Sequence, residues 1–374
     1  MRSSAGHRKA IGALHEKSGG HANGVSARRV CSVVRSIGFA LLLALASCAR
    51  APLHRHESFV FGTRVELLIA GVEAAQARPA AAAVLREFDR LHRTYHPAQP
   101  SELSAANEAI AAGREIAVAP EMAALITDVQ RLSALGDALF DPGIGRLIAL
   151  WGFQSDSFAA VRPDAAAIAA WRATRPSIAD LRLDGLRLTS RNRAVALDFG
   201  GYLKGVALDR ATAILQAHGV HHALINIGGN VMALGTKNGE RWRVGIRHPR
   251  EPGPLATVEL DDGEAIGTSG DYQRYFEADG KRYSHLLDPR RGEPVMHTQA
   301  LTVLVSRRPA AGTLSDAASK PLFIAGERWP ELAARFAVDQ VLRVDGDGRI
   351  TVSASLHRRL DYVGGAPKDI AVVP

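Results

Sequence analysis

The sequence predicts an α+β fold, and two observations lead to that prediction. Alanine-rich stretches with apolar residues at helical spacing occur at 73–95, 120–135 and 164–173, and they are typical of amphipathic helices. Between 242 and 307, short alternating runs are separated by turns that contain Gly, Asp and Pro, as in β-strands. No repeat or low-complexity linker interrupts residues 57–356, so we expect one domain there, built as a single body or as two intimately packed α/β halves.

The other elements follow in chain order. Residues 59–71 (FVFGTRVELLIAG) predict a strand, and residues 181–198 predict a β-hairpin that ends at Asp198. A helix then starts at GGYLKG and is stopped by Gly219, after which ALINIGG predicts another strand. Helical segments near 314–337 and a closing pair of strands complete the domain.

The distribution of charge argues against a nucleic-acid function. The 374 residues include 46 Lys+Arg and 38 Asp+Glu, which gives a formal net charge of +8. Seven of the basic residues and one acidic residue lie in residues 1–47, so the chain from Cys48 onward holds 39 basic and 37 acidic residues. A protein that binds phosphate backbones needs a strongly basic surface. We therefore expect no nucleic-acid partner.

Residues 1–47 predict a bacterial lipoprotein signal peptide. Basic residues precede the apolar run IGFALLLALA, which is too short to span a bilayer, and the run ends in Leu-Ala-Ser-Cys, similar to a lipobox with Cys48 as the lipidated residue. A signal anchor with a chance cysteine is the alternative. Cys31 is lost with the leader, so no disulfide is expected. We expect a protein lipid-anchored on the periplasmic side of a membrane, the inner one favoured over the outer, with a tether at 48–56 and a C-terminal tail at 357–374.

Two glycine pairs follow predicted strand ends, where a backbone can approach a ligand closely. In LDFGGYLKG, Asp198 precedes Gly200 and Gly201, and Lys204 stands at a helix start. Exposed N–H groups, the helix dipole and one ammonium can therefore converge on a phosphate. For this segment alone, a tight turn with a solvated lysine is the alternative. INIGG gives the second pair, but the third glycine of a dinucleotide fingerprint is absent.

A third segment, TSGDYQRYFEADGKRYSHLLDPRRGEPV, collects polar side chains in two strands and their turns. Thr268, Ser269 and Asp271 surround Gly270, and His285 lies two predicted strands further on. A lone histidine is more often a satisfied interior residue, but one close to a Ser-Gly-Asp turn is well placed for proton transfer.

The fourth segment is SDAASK. Asp316, Ser319 and Lys320 stand at positions i, i+3 and i+4, so they share one face if the segment is helical.

Taken in this order, the segments resemble the FAD:protein FMN transferase family, the ApbE-like lipoproteins. The similarity also includes FGT at 61–63, FDRLHRTYHPAQPSELSAAN, GDALFDPGIGRLIALWGF and WRVGIRHP, and it covers most of the chain after the leader. It implies a single ApbE-like domain and a Mg²⁺-dependent transfer of FMN from FAD to a Ser or Thr hydroxyl of a partner protein, with release of AMP. The implied partners are FAD and an acceptor flavoprotein, either a membrane redox complex subunit or an exported flavoprotein.

The resemblance also implies roles for individual residues. His285 matches the histidine of an HxxDP motif and becomes the candidate acid/base or phosphate-contacting group, while Asp271 is expected to shape the site at the reacting phosphate. The implied metal ligands are the carbonyl of Gly201, Asp316 and Ser319. The implied FAD-binding residues are Phe61, Tyr95, Ala138, Leu139, Phe140, Asp198, Lys204, Thr268, Ser269 and Gly270.

One departure from the family pattern bears on the chemistry. Lys320 stands where the family has a metal-binding threonine, and an ammonium cannot coordinate Mg²⁺. Ser319 or water fills the gap, metal binding is weakened, or Lys320 is a catalytic cation that takes over part of the metal's electrostatic role. Pro321 is expected to disturb helical geometry at Lys320. Smaller departures are Gly143 in place of the threonine of a DPT motif and Leu203 in place of a small residue.

Two other functions stay open on the sequence. The first is a Mg²⁺-dependent FAD pyrophosphatase, in which water instead of a protein hydroxyl attacks the diphosphate. The second is a flavin-binding lipoprotein with weakened catalysis.

Overall fold

A large antiparallel sheet organises the fold. The computed structural model describes residues 52–154, 162–367 and 369–374. Within these ranges nine strands form one sheet in the order β1-β2-β6-β7-β10-β15-β16-β17-β19, antiparallel except for the parallel pair β17 and β19. A second sheet has the order β18-β9-β8.

The strands of the described ranges are β1 (Leu53–Val60), β2 (Thr63–Ala70), β3 (Ile116–Ala117), β4 (Leu181–Asp184), β5 (Arg187–Ser190), β6 (Ala223–Ile227), β7 (Asn230–Leu234), β8 (Trp242–Arg247), β9 (Pro254–Leu260), β10 (Ala265–Gly270), β11 (Tyr275–Ala278), β12 (Lys281–Ser284), β13 (Leu287–Asp288), β14 (Glu293–Pro294), β15 (Thr298–Val305), β16 (Gln340–Asp345), β17 (Ile350–Ser353), β18 (Asp361–Tyr362) and β19 (Ile370–Val373). The helices are α1 (Ala74–Thr94), α2 (Glu102–Ala112), α3 (Pro120–Leu135), α4 (Gly145–Leu150), α5 (Ala165–Thr174), α6 (Leu203–Ala217), α7 (Ala311–Ala325), α8 (Trp329–Arg335) and α9 (Ala354–His357).

The large sheet is covered on both faces. Successive side chains of a strand point to opposite faces, and both faces carry apolar residues that must be buried. Val65 and Leu67 of β2 point to the core beneath α1, α6 and α7, whereas Leu68 packs with the core beneath β8 and β9. In α1, Val84, Phe88 and Leu91 recur at helical spacing and are buried. Burying such a side chain contributes about 1.5–3 kcal/mol. The α+β class and the three predicted alanine-rich helices are confirmed.

Helices α6 and α7 pack closely, and this contact positions the candidate site. A Cβ on Gly205 would lie 2.5 Å from the carbonyl oxygen of Gly312, so only glycine permits the approach. Ala310, the N-cap residue of α7, has no side-chain oxygen, so the side chain of Asp209 on α6 caps this helix instead. Its carboxylate accepts hydrogen bonds of 2.8 Å from the backbone N–H groups of Gly312 and Thr313. The beginning of α7 is therefore fixed against α6.

Several predicted boundaries are wrong. Residues 59–71 are not one strand, because the chain reverses at Phe61 and Gly62, both with positive φ, between β1 and β2. Strand β1 starts within the predicted tether at 48–56. The hairpin predicted over 181–198 is complete by Ser190 and Asp198 follows in a loop.

The predicted C-terminal tail also contains regular structure. Of residues 357–374, the strand β18 pairs with β9 and β19 pairs with β17. The main-chain pairing of the described fold therefore continues to Val373. The described residues from 52 onward form one compact unit, without a division into two halves.

The predicted signal peptide, Cys48 and residues 49–51 of the predicted tether lie outside the described residues. Of the helices that the structure does describe, none combines the length and the apolar character needed to cross a bilayer.

Candidate active site

The turn between the loop after β5 and helix α6 forms the first side of the site. Asp198 accepts a hydrogen bond of 2.8 Å from the backbone N–H of Gly200, which closes the turn. The Nζ of Lys204, in the first turn of α6, donates to the carbonyl oxygen of Gly200 over 3.1 Å. Burial raises the pKa of Asp198, although the Gly200 N–H and the charges of Arg274 and Lys204 counteract this rise. The Gly200 N–H and the Lys204 ammonium thus both bond within the turn, and their convergence on a phosphate stays a prediction.

Helix α7 forms the second side. Asp316, Ser319 and Lys320 share one helix face, as predicted from their spacing. The Nζ of Lys320 contacts the Asp316 carboxylate and donates to its carbonyl oxygen over 2.8 Å. The expected disturbance from Pro321 does not occur, because α7 continues through the proline and its ring packs where Gly136 leaves room.

Helices α6 and α7 bring these two sides together. The backbone N–H of Gly205 donates to Oδ2 of Asp316 over 2.8 Å. A Cβ built on Gly201 would lie 3.5 Å from Cε of Lys320 and 3.4 Å from the ring of Phe140. The glycine turn, the lysine of α7 and an aromatic side chain thus surround one small space.

His285 lies beside the same group of charges. Its Nδ1 is 3.2 Å from the carbonyl oxygen of Arg274, so Nδ1 carries the proton and Nε2 keeps its lone pair. Burial and the positive charges of Lys204, Arg274 and Lys320 lower the pKa of His285 to about 3. The imidazole is therefore neutral at neutral pH.

Positively charged side chains lie around His285. Lys204, Arg274 and Lys320 all act electrostatically on it, and two carboxylates, Asp198 and Asp316, lie among them. The two ammonium groups at the glycine turn give an anionic ligand a favourable electrostatic environment. Arg274 was not singled out from the sequence, although it lies in TSGDYQRYF, the segment that supplies Thr268 and Asp271.

The buried ion pair of α7 is itself perturbed. Burial alone would raise the pKa of the Asp316 carboxyl, but the ammonium groups of Lys320 and Lys204 outweigh burial and hold the pKa below its usual value. Burial lowers the pKa of Lys320 to about 8, against the opposing charge of Asp316. Asp316 is fully buried, whereas 14% of the Lys320 side chain is exposed, so Lys320 is the more accessible member of the pair.

The aromatic and apolar residues predicted to bind FAD lie in separate places, and Phe140 and Tyr95 represent two of them. Phe140 borders the glycine turn, and Leu139 beside it is buried, while Ala138 is exposed with a positive φ of 55°. Tyr95 is only 2% exposed and packs against Phe199, behind Asp198.

Phe61 packs against side chains of α1. Its ring centroid is 6.1 Å from that of Phe88 and 5.8 Å from that of His92. These contacts do not bring Phe61 to the charged groups of the site.

The residues predicted from TSGD are mostly engaged by the protein. The hydroxyl of Thr268 is 2.9 Å from that of Thr302, and a Cβ on Gly270 would collide with Tyr272. The Asp271 carboxylate accepts two hydrogen bonds, of 2.7 and 2.6 Å, from the guanidinium of Arg250. Its contacts therefore do not support the predicted role of Asp271 at the reacting phosphate.

The donor set does not fit a magnesium ion. Mg²⁺ requires near-octahedral oxygen ligands at short distance. Of the Asp316 carboxylate, Oδ2 accepts from Gly205 N–H and Oδ1 contacts the Lys320 ammonium. The Ser319 hydroxyl donates to the Asp316 carbonyl over 2.8 Å and contacts the Ser269 hydroxyl, also over 2.8 Å.

What remains of the predicted ligand set is the carbonyl of Gly201, and one backbone oxygen does not make a magnesium site. No cluster of three or more His, Cys, Asp or Glu side chains suited to a metal occurs in residues 52–154, 162–367 and 369–374. The oxygens that the resemblance assigns to Mg²⁺ are thus mostly used within the protein, and a cation already stands beside the carboxylate.

Together, the fold and the site define a mixed α/β protein in which a glycine turn lies against a lysine-bearing helix. A sequence profile of the ApbE family matches residues 61–342, which is most of the chain, and the chain belongs to this family. The resemblance found in the motifs is therefore confirmed, and the curated relatives in this family are enzymes.

Known proteins show the extent of the similarity. A protein of Rhodobacter capsulatus, named FAD:protein FMN transferase, is 42% identical over 328 residues, which are 87% of this chain and 62% of that protein. The chain thus spans less than two thirds of that relative's length. A Haemophilus influenzae protein of the same name is 28% identical over 288 residues, 74% of this chain and 81% of its own length.

Solved structures agree with the fold. The ApbE protein of Thermotoga maritima has a TM-score of 0.74 at 28% identity and covers 82% of this chain and 99% of its own. The apo form of the flavinyl transferase ApbE of Pseudomonas stutzeri has a TM-score of 0.71 at 29% identity, with 84% and 98% covered.

Proposed function

We propose that this protein transfers FMN from FAD to a Ser or Thr hydroxyl of an acceptor protein and releases AMP. The observation that carries the proposal is the convergence of Lys204, Lys320 and His285 around the glycine turn at Gly201, in a chain of the ApbE family. Curated relatives named FAD:protein FMN transferase support the choice of donor and transferred group.

In the proposed reaction, the acceptor hydroxyl oxygen bonds to the FMN phosphorus and the bond from that phosphorus to the AMP oxygen breaks. The hydroxyl proton passes to Nε2 of His285 and from there to solvent, and AMP departs with the electron pair of the broken P–O bond. Negative charge develops on the AMP oxygen, so positive groups fixed at the diphosphate stabilise the transition state. Lys204 and Lys320 supply that charge without reorganisation, because hydrogen bonds to Gly200 and Asp316 already hold their ammonium groups.

His285 is placed to orient the attacking hydroxyl. Its Nε2 is the acceptor nitrogen, since the Nδ1 proton is directed to Arg274. With a pKa of about 3 the free imidazole is a weak base. A bound diphosphate adds negative charge beside it and raises that pKa.

The test uses the purified chain, FAD and an acceptor protein, with products separated by mass spectrometry. The proposal expects an acceptor heavier by one FMN on a Ser or Thr, together with one equivalent of AMP. FMN and AMP without a modified acceptor would instead identify a FAD pyrophosphatase. Unchanged FAD that stays bound would identify a flavin-binding protein.

Magnesium dependence belongs to the same assay. The resemblance implies Mg²⁺ as a cofactor, whereas Asp316 and Ser319 are engaged within the protein. A titration of Mg²⁺ against the transfer rate decides whether the ion is required.

We also propose that the protein acts from a lipid anchor at Cys48 on the periplasmic side of a bacterial membrane. The basic and apolar leader with its Leu-Ala-Ser-Cys ending supports this location. An acceptor in a membrane redox complex or an exported flavoprotein is compatible with it. Replacement of Cys48 by serine should move the protein from the membrane fraction to the soluble fraction. An unchanged membrane fraction would contradict the lipid anchor.

A further inference from the structure

We infer that in this protein the Lys320 ammonium takes the place of a divalent cation against the diphosphate of FAD. The inference rests on the proposed function for the identity of the ligand. It concerns what neutralises that ligand, and it follows from the disagreement between the donor set and Mg²⁺.

The first step is the position of the Lys320 ammonium. It is held by two oxygens of the same residue, the carboxylate and the carbonyl of Asp316, at i+4 on α7. An ammonium carries three N–H donors, so one remains for a ligand oxygen. The aliphatic part of the side chain passes 3.5 Å from the Cβ position of Gly201, which directs the Lys320 ammonium to the glycine turn.

The second step is the role of Asp316. Its Oδ2 accepts from the N–H of Gly205 in the first turn of α6, while Oδ1 contacts the Lys320 ammonium. One carboxylate thus fixes the distance between the helix start and the cation. A metal ion would need the oxygen that faces the ammonium, and an ion at that oxygen would also be repelled by Lys320.

The third step is the amount of charge. Lys204 also lies at the glycine turn, with its Nζ on the Gly200 carbonyl, and its charge acts on both members of the Asp316–Lys320 pair. The two ammonium groups together carry the charge of one divalent ion. A diphosphate between them is therefore neutralised to the same extent, although each ammonium is a hydrogen-bond donor and not a Lewis acid.

A purely structural role is the competing explanation. Lys320 would then only neutralise a buried carboxylate, and its loss would change stability without changing FAD binding. The Lys320 side chain is partly exposed, and this exposure distinguishes the Asp316–Lys320 pair from an ion pair that is fully closed to ligands. FAD affinity and protein stability must therefore be measured separately.

The experiment measures FAD binding by flavin fluorescence on the purified full chain, in excess EDTA and in excess Mg²⁺, beside the transfer rate. We expect wild-type affinity and rate to agree within about twofold in the two conditions, since the lysines already supply the charge. In EDTA, Lys320→Thr should lose about tenfold or more in affinity and about 100-fold in rate. Mg²⁺ should restore much of both losses, because a threonine hydroxyl and a freed Asp316 carboxylate provide oxygen ligands.

Lys281→Thr is the matched control, because Lys281 is an exposed lysine on β12 and should behave as wild type. Urea unfolding of each variant separates stability from binding, and the wild-type comparison of EDTA with Mg²⁺ needs no variant at all. Wild-type binding that strengthens about tenfold with Mg²⁺, or Lys320→Thr that binds FAD as wild type in EDTA, would overturn the inference.

Failure of the proposed function and failure of the Lys320 inference give different results in this experiment. If no FMN reaches an acceptor but FAD binding in EDTA still depends on Lys320, the transferase proposal fails and the inference stands. If FMN is transferred only with Mg²⁺, the transferase proposal stands and the inference fails. A protein that does not bind FAD in either condition contradicts both.

Discussion

Two buried carboxylates, Asp271 and Asp316, both lie in matched motifs and both contact a cation, yet their surroundings differ. Asp271 accepts from both terminal nitrogens of Arg250, so the fork of the guanidinium occupies both of its oxygens. Asp316 shares its oxygens between a helix N–H and the ammonium of Lys320. The Asp271–Arg250 pair stabilises a turn, whereas the Asp316–Lys320 pair holds a partly exposed lysine at the glycine turn.

This difference separates a structural acid from one in the candidate site. A bidentate arginine engages both oxygens of the carboxylate in charged hydrogen bonds. A lysine is a point charge with several donors, so it can hold a carboxylate and still contact a ligand. The sequence alone assigned Asp271 and Asp316 to the same site, and only their partners distinguish them.

The largest expected effect is on catalysis. Asp316→Asn should lower kcat/KM for FMN transfer by about 100- to 1000-fold, because Lys320 loses its fixed position at the diphosphate. Asp271→Asn, the matched change, should lower it by less than about tenfold. Steady-state rates with an acceptor protein check both values. Equal losses in the two variants would remove the distinction between the two carboxylates.

The second-largest effect is on stability, and it concerns Asp271. Arg250→Met should lower the free energy of unfolding by about 1–3 kcal/mol, since the mostly buried Asp271 loses both charged hydrogen bonds while the exposed part of Arg250 limits the loss. Urea denaturation measures this change, and the transfer rate of the folded variant should stay within a few-fold of wild type. A stable but inactive Arg250→Met would place Asp271 in the reaction after all.

A third effect depends on pH and tests the positive surroundings of His285. The pKa of His285 is about 3 in the fold and about 6.5 in the unfolded chain, so between these values the unfolded state binds more protons. Acidification below about pH 6.5 therefore favours unfolding by up to about 1.4 kcal/mol per pH unit from this group.

Substitution of His285 isolates its contribution to the pH dependence of the unfolding free energy. Between about pH 7 and about pH 5, His285→Gln should lose less unfolding free energy than wild type, as measured by urea titration at each pH. An identical loss in both proteins would show that His285 ionises normally, away from Lys204 and Lys320.

The smallest effect concerns Ser319. Its hydroxyl connects Asp316 on α7 with Ser269 on β10, so Ser319→Ala should cost about 1 kcal/mol of stability. If Ser319 is structural, Mg²⁺ titration of the transfer rate should give the same curve for the variant and for wild type. A weaker response to Mg²⁺ in Ser319→Ala would make Ser319 a metal ligand.

The local parts of the fold and site could be predicted from the sequence. The apolar spacing of α1 and the i, i+3, i+4 spacing on α7 depend on helical geometry alone, and both predictions hold. The reversal at Phe61 was missed because a bulky residue rarely adopts positive φ, and only Gly62 marked a turn. The helix through Pro321 was missed because packing, here against Gly136, overrides local propensity.

Contacts between distant segments could not be predicted from one sequence. The pairing of Asp271 with Arg250 depends on how separate hairpins meet. Gly143 shows the same limit. It stands where the family motif has threonine, and a Cβ there would lie 2.5 Å from the backbone nitrogen of Ile178, so this chain requires glycine.

The most direct measurement is a crystal structure of the protein with FAD, grown without divalent ions. The account predicts ordered FAD with oxygens of its diphosphate hydrogen-bonded to Nζ of Lys320 and Nζ of Lys204, and Lys320 still on the Asp316 carboxylate. A diphosphate bound away from both lysines would contradict it. So would ordered FAD only after Mg²⁺ is added, with the ion on Asp316 and Lys320 displaced.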